Sequence, residues 1–166
     1  MGEHPGAVTY EPIGVVRSPY TTLDGMPLQT VASPEVEATV ALHERVHGAL
    51  RDLDGFSHVW LIVHLHRVDG WAPEVVPFLD DDRPRGVLAT RSPRHPNPIG
   101  LSLVELVSVD AGALRIRGVD LLDGTPVLDV KPYVPLFDAR EDVRTGWFAA
   151  AADRVRTLRS DARYGA

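Results

Sequence analysis

Leu101-Ser102-Leu103-Val104-Glu105-Leu106-Val107-Ser108-Val109-Asp110-Ala111-Gly112-Ala113-Leu114-Arg115-Ile116-Arg117-Gly118-Val119-Asp120-Leu121-Leu122 is the stretch that decides the fold. Residues 101–109 and 114–122 read as strands, and Asp110-Ala111-Gly112 between them is a hairpin signal. Outward from this hairpin the same pattern recurs. Residues 10–17 read as a strand with Ile13, Val15 and Val16 as β-branched formers, followed by a turn at Ser18-Pro19-Tyr20 and a long loop over 21–34. Residues 35–42 alternate polar and apolar, the period of a half-buried strand. The spacing of Val46, Ala49, Leu50 and Leu53 predicts a short amphipathic helix over 43–53, stopped by Asp54-Gly55. Residues 58–65 are the most apolar run and read as a strand buried on both faces, with His64 and His66 at its far end. Residues 67–85 read as loop, 86–90 as a brief strand and 127–130 as another.

From Gly146 onward, Trp147, Phe148, Ala151, Val155 and Leu158 recur at helical spacing and predict a C-terminal helix. Strands outnumber helices about six to two and do not alternate with them, which argues against a doubly wound fold. The expected class is mainly β: a single-sheet, antiparallel, barrel-like domain with short helices and a C-terminal helix. The expected organisation is a disordered N-terminus over 1–8, a barrel over 9–140 and a helical extension over 141–166.

Composition sets the outer limits. A chain of 166 residues is expected to form one domain. It has no cysteine, which removes disulfides and thiolate chemistry. No apolar run approaches the ~18–20 residues of a membrane-spanning helix, and residues 1–5 lack the basic-then-apolar order of a signal peptide. A cytoplasmic protein with no membrane partner is the expectation. The formal charge is −6. Long nucleic acid usually meets a basic face, and Arg83, Arg85, Arg91 and Arg94 cluster closely enough to supply a local one. The run Asp80-Asp81-Asp82 before them reads as a solvated loop.

Two further stretches carry chemistry. Ala89-Thr90-Arg91-Ser92-Pro93-Arg94-His95-Pro96-Asn97-Pro98-Ile99-Gly100-Leu101-Ser102 packs three prolines into six residues. Proline fixes φ and removes an amide donor, so this is a stiff platform presenting Arg91, Arg94, His95, Asn97 and Ser102. Asp123-Gly124-Thr125-Pro126-Val127-Leu128-Asp129-Val130-Lys131-Pro132-Tyr133 holds Lys131, the one lysine among 17 Lys and Arg residues. The retained ammonium is either a selected point charge or an accident of codon usage. Asp123-Gly124, read by itself, is a plain turn.

Together with residues 13–20 and Phe56-Ser57-His58-Val59-Trp60, these two stretches resemble the TsaA-like (TrmO) family of S-adenosylmethionine-dependent tRNA methyltransferases, over about residues 10–137. The family pattern Arg-Pro-Asn-Pro-Ile-Gly is altered here, with His95 before the proline and Arg94 one place earlier. The resemblance implies a dimeric β-barrel, with the cofactor near the subunit interface and without the Gly-x-Gly-x-x-Gly arrangement, which the chain lacks. It implies that His66 and Arg67 border the cofactor, and that Asp123, Gly124, Thr125 and Pro126 bind it, with His95 in the matching proline loop.

S-adenosylmethionine needs a cation for its carboxylate, an acceptor for its ammonium and ribose, and an apolar slot for its adenine. Arg91 suits the first; Asp123 or Asp129 suits the second; Leu101 and Leu103 suit the third, with Gly100 and Gly124 permitting close approach. His64 and His66 share a face if the strand continues, but two histidines fall short of a zinc site, and no metal is expected. His43, His47 and His58 read as structural. Asp129, Lys131 and Tyr133 alternate with Val130 and Pro132 and share a face if extended. They are either a catalytic acid, ammonium and phenol or a surface ion pair beside a packed tyrosine. The acceptor is threonylcarbamoyl-adenosine in tRNA or, on the same fold, the nitrogen of a small molecule. A non-catalytic cofactor-binding protein is the remaining alternative.

Overall fold

Six strands close on themselves. In this computed structural model, which describes residues 6–79 and 83–161, the strands are β1 (Gly14–Arg17), β2 (Glu37–Leu42), β3 (His58–His64), β4 (Glu74–Val75), β5 (Arg85–Gly86), β6 (Ile99–Asp110), β7 (Ala113–Arg117) and β8 (Pro126–Pro132). The barrel order is β1-β2-β7-β6-β3-β8, closed by β8 on β1, and every neighbouring pair is antiparallel. The expected antiparallel barrel is therefore present. β4 and β5 form a separate two-stranded ribbon. The readings of residues 1–5 and of Asp80-Asp81-Asp82 lie outside the described residues, as does 162–166 of the expected helical extension.

The β6–β7 hairpin sits where the sequence put it, with Asp110 paired to Ala113 and a two-residue turn between. Gly112 has φ +85°, and a Cβ there would stand 2.5 Å from the His47 ring, so both backbone and space demand glycine. The first strand of the pair extends from Ile99 to Asp110 and the second stops at Arg117, before Gly118 at φ +77°. Alternation then fills the barrel. Val16, Val40, Val59, Leu61, Val63, Val104, Leu114, Ile116 and Val127 are essentially fully buried. On the outside of β2, β7 and β6, Glu37 faces Arg117 and Arg115, and Arg117 also reaches Glu105.

Four expectations are corrected, the first being the brief strand over 86–90, of which only Gly86 is strand and Val87–Ala89 is a 3-10 turn. β3 is not buried on both faces: Val59, Leu61 and Val63 point in, while His58, Trp60 and Ile62 are half-buried outside. A barrel has one inside, so each strand can bury only alternate residues there. The helix over 43–53 is instead two 3-10 segments, Glu44–Leu50 and Leu53–Gly55. His47 Nε2 turns back to Leu42 O at 3.1 Å and Asp52 takes φ +67°, so the chain crosses the barrel end in tight turns. The C-terminal helix is likewise replaced by 3-10 segments at Gly146–Ala150 and Ala152–Arg154. Its side chains are drawn to separate loops: Trp147 to Ala89 O, Arg154 to Leu79 O, and Ser160 to Leu23 O and Met26. A short isolated helix is marginal, and such tertiary contacts override it.

Candidate functional site

Antiparallel closure brings the ends of β1, β7 and β3 and the starts of β2, β6 and β8 to one rim of the barrel. A cleft of about 400 Å³ opens at this rim, the size range of small-ligand sites. Its walls come from the loop after β1 (Met26, Gln29), the turn after β3 (Leu65, His66, Arg67), the proline loop, the first residues of β6, the segment after β7, and the C-terminal segment.

The floor is polar and was not legible in the sequence. After Gly118 the chain runs extended. Val119 and Leu121 turn into the core, while their carbonyls accept from Ser33 Oγ and Ser18 Oγ, each at 2.7 Å. Asp120, between them, points the other way into the cleft. Ser102, itself 3% exposed, donates its hydroxyl to Asp120 Oδ1 at 2.7 Å. Burial pushes the Asp120 carboxyl up to about 6; the Ser102 hydroxyl, backbone amides and the Arg91 charge pull the other way. Arg91 donates to Gln29 Oε1 at 3.0 Å and stays exposed on the cleft wall. The only sequence signal for Asp120 was a carboxylate inside the apolar run Val119-Asp120-Leu121-Leu122.

The proline loop is held as predicted, but by serine and threonine as well as proline. Thr90 Oγ1 donates to Val87 O and accepts from Ser92 N, Ser92 Oγ accepts from Arg94 N, and His95 Nε2 meets Thr90 O at 3.1 Å. Arg91, His95 and Ser102 all line the cleft, whereas Arg94 and Asn97 do not. His66 and Arg67 line it too; burial, then Arg67 and His64, hold the His66 imidazole below its ordinary value. His64 ends β3 as an exposed residue and His66 falls in the following turn, so the two do not share a strand face. Among the described residues, no group of three or more His, Cys, Asp or Glu is placed to hold a metal.

The Asp-Gly-Thr-Pro segment divides. Thr125 is buried in the cleft wall. Asp123 faces away from the cleft, with its carboxylate accepting from Ser18 N at 3.2 Å and standing 3.7 Å from Arg17 Nη1. Gly124, at φ +79°, donates to Val16 O. Asp123-Gly124 forms a turn that leads into Thr125. Pro126 pairs with Val15 at the start of β8 and does not line the cleft.

Leu103 stands on the outer wall beside Trp60, whose other neighbour across the sheet is Lys131. Asp129, Lys131 and Tyr133 do share one face, and a bulge decides which. The β3–β8 register slips between Ile62 and Val63, skipping Leu128. Val127 is inside before the slip, and Val130 packs on the core after it, so the three polar residues face outward. Lys131 Nζ lies 2.8 Å from Asp129 Oδ2, with side chains 63% and 44% exposed, and Tyr133 packs edge-on against Trp60 and His58. None of the three lines the cleft.

An antiparallel barrel with an apolar rim cleft, the half-buried Asp120 carboxylate on its floor and the guanidinium groups of Arg67 and Arg91 on its walls defines a small-ligand-binding barrel, outside the dinucleotide-fold class. The family model for the tRNA-methyltransferase O N-terminal domain matches residues 15–139, and the chain belongs to this TrmO family. It is 43% identical over 160 residues to a probable S-adenosyl-L-methionine-binding protein of Pyrococcus abyssi, covering 96% of this chain and 86% of that one. It is 40% identical over 151 residues to the tRNA (adenine(37)-N6)-methyltransferase of Escherichia coli, covering 86% of this chain but 64% of that enzyme. The crystal structure of TrmO from Pseudomonas aeruginosa superposes with a TM-score of 0.72 at 38% identity, over 85% of this chain and 62% of that one.

Proposed function

We propose that the chain is an S-adenosylmethionine-dependent N-methyltransferase that binds its cofactor in the rim cleft and acts on the N6-substituted adenosine, threonylcarbamoyl-adenosine, of tRNA. The observation that carries this is the cleft's set of polar groups: the half-buried Asp120, oriented by Ser102, and Arg91 on the wall, with apolar Met26, Ile99 and Leu101 also in the lining. An amino-acid ammonium or ribose hydroxyl suits Asp120, a carboxylate suits Arg91, and a purine suits the apolar wall, so the residues present fit this cofactor. When bound, the cofactor supplies a methyl group on a sulfonium. The chain's own part is to hold the two reactants in line, which by itself lowers such a barrier by several kcal/mol. His66, kept neutral near pH 7 by its depressed pKa, is the cleft residue suited to accept a proton from the acceptor nitrogen. The same tRNA assignment supports a cytoplasmic location; among the described residues no helix is long and apolar enough to cross a membrane.

The reading includes a homodimer. Ile99 and Leu101 are 52% and 48% exposed and lie on the cleft rim and the outer wall at once. A two-fold pairing over this wall covers them and sets Asp129, Lys131 and Tyr133 of one copy against the rim of the other. These three then serve the partner's site. Calorimetric titration with S-adenosylhomocysteine tests the cofactor, light scattering the dimer, and labelled methyl transfer to tRNA or to a metabolite extract the acceptor. No heat on titration refutes the cofactor assignment, a mass near 18.2 kDa refutes the pairing, and label only in metabolites moves the acceptor to a small molecule.

A further inference from the structure

We propose that residues 146–161 are a strap that builds one wall of the cleft, and that Trp147 is its binding residue, a stacking platform for a purine ring. This rests on the cofactor and acceptor reading above and names the part of the site that takes the base. The matched family core ends at residue 139, so the strap lies beyond it. Its polar attachments reach several segments that themselves line the cleft or adjoin its lining. Trp147 Nε1 donates to Ala89 O at 2.8 Å, beside Thr90 of the proline loop. Arg154 donates to Leu79 O in the lining segment before residue 80. Ser160 donates to Leu23 O, accepts from Met26 N and gives its amide to Met26 O, while Gly25 N bonds to Ser160 O and Arg159 Nη2 reaches Ala32 O. Three loops are thereby tied into one wall, and Ala151 of the strap is buried.

Trp147, Ser160 and Asp161 of the strap line the cleft. Of the aromatic side chains Phe, Tyr and Trp, only Trp147 and Phe78 do so among the described residues. The indole is held on several sides: its N–H by Ala89 O, a ring face by the Arg85 guanidinium 5.6 Å from the ring centre, and an edge by Phe148 at 6.2 Å. A ring so fixed gives a flat surface at little ordering cost, and nucleobases stack on such surfaces whatever their hydrogen-bonding edge. Both the cofactor and the acceptor carry an adenine, so the chemistry is shared and the source is settled by two ligands.

The test uses the full chain as wild type, Trp147→Phe and Trp147→Ala. Calorimetry measures S-adenosylhomocysteine, and a separate titration measures an anticodon stem-loop carrying threonylcarbamoyl-adenosine. Trp147→Ala is expected to weaken one of them about tenfold or more, and Trp147→Phe less than about threefold. Loss on the first ligand assigns Trp147 to the cofactor purine; loss on the second alone assigns it to the acceptor base. Trp60 and Trp71 are the other two tryptophans and lie outside the cleft. In a Trp60→Phe, Trp71→Phe background the affected ligand should therefore quench the one remaining indole. Unchanged affinity for both ligands overturns the proposal. So does a Trp147→Phe defect as large as that of Trp147→Ala, which would reduce Trp147 to a hydrogen-bonded anchor. Absence of S-adenosylhomocysteine binding by the wild type defeats the cofactor reading itself, and is distinguishable because no substitution is involved.

Discussion

Asp120→Asn should make the protein more stable and a worse binder. The substitution keeps the volume and one acceptor oxygen for Ser102 Oγ, and removes the charge together with one carboxylate acceptor. The Asp120 carboxyl is pushed from 3.8 up to about 6, chiefly by burial. At ~1.4 kcal/mol per pKa unit, ionising it in the fold above pH 6 costs about 3 kcal/mol relative to the unfolded chain. That is a ceiling, because the asparagine amide is also desolvated; a gain of about half is expected, or roughly 3–6 °C in melting temperature for a chain of this size. A carboxyl whose folded pKa is raised binds its proton more tightly in the fold. Its stability is fully present below the unfolded pKa and is lost as pH rises through the folded value. The gap between variant and wild type should therefore be widest at pH 8 and close between about pH 6 and pH 4. Other carboxylates titrate in both proteins and cancel in the comparison. Loss of a charged acceptor should weaken S-adenosylhomocysteine by about tenfold or more. Scanning calorimetry over pH 4–8, with ligand titration at pH 7.5, measures both. A variant less stable than wild type at pH 8, or a gap that does not change with pH, refutes the burial argument. Unaltered ligand affinity removes Asp120 from the site.

Lys131→Ala should cut methyl transfer about a hundredfold while S-adenosylhomocysteine affinity stays within about threefold, since Lys131 lies outside the cleft proposed for the cofactor; its exposed pair with Asp129 contributes under ~1 kcal/mol to stability. Lys131→Arg should fail to restore turnover, and wild-type turnover in that variant would make the lone lysine incidental. Gly112→Ala should destabilise by about 1–3 kcal/mol, because φ is +85° and the new methyl would meet the His47 ring at 2.5 Å; an unchanged melting temperature contradicts this.

Local rules reached much of this molecule and stopped at identifiable places. Hydrophobic alternation and turn chemistry were enough for the β6–β7 hairpin, for β2 and for the antiparallel class, because these depend on neighbours in sequence. Proline density likewise marked the rigid loop that presents Arg91 and His95, and the same stretch carries Ser102 to the cleft. The face on which Asp129, Lys131 and Tyr133 lie was not legible: it turns on a single skipped residue, Leu128, in a register set against β3. Periodicity within a strand cannot report a slip forced by its partner. The C-terminal apolar spacing was real, yet anchors on Ala89, Leu79 and Met26 held it as 3-10 turns across the cleft. Asp120 sat inside what read as one strand, and only Gly118 with its positive φ separates it from β7. Its half-buried place in the cleft, and the serine 18 residues earlier that orients it, exist only once the barrel has closed. Sequence determined the main barrel strands and their turns, since backbone preference and burial pattern act over a few residues. Tertiary structure decided which polar groups share a low-dielectric cleft, since that depends on contacts between residues far apart in the chain.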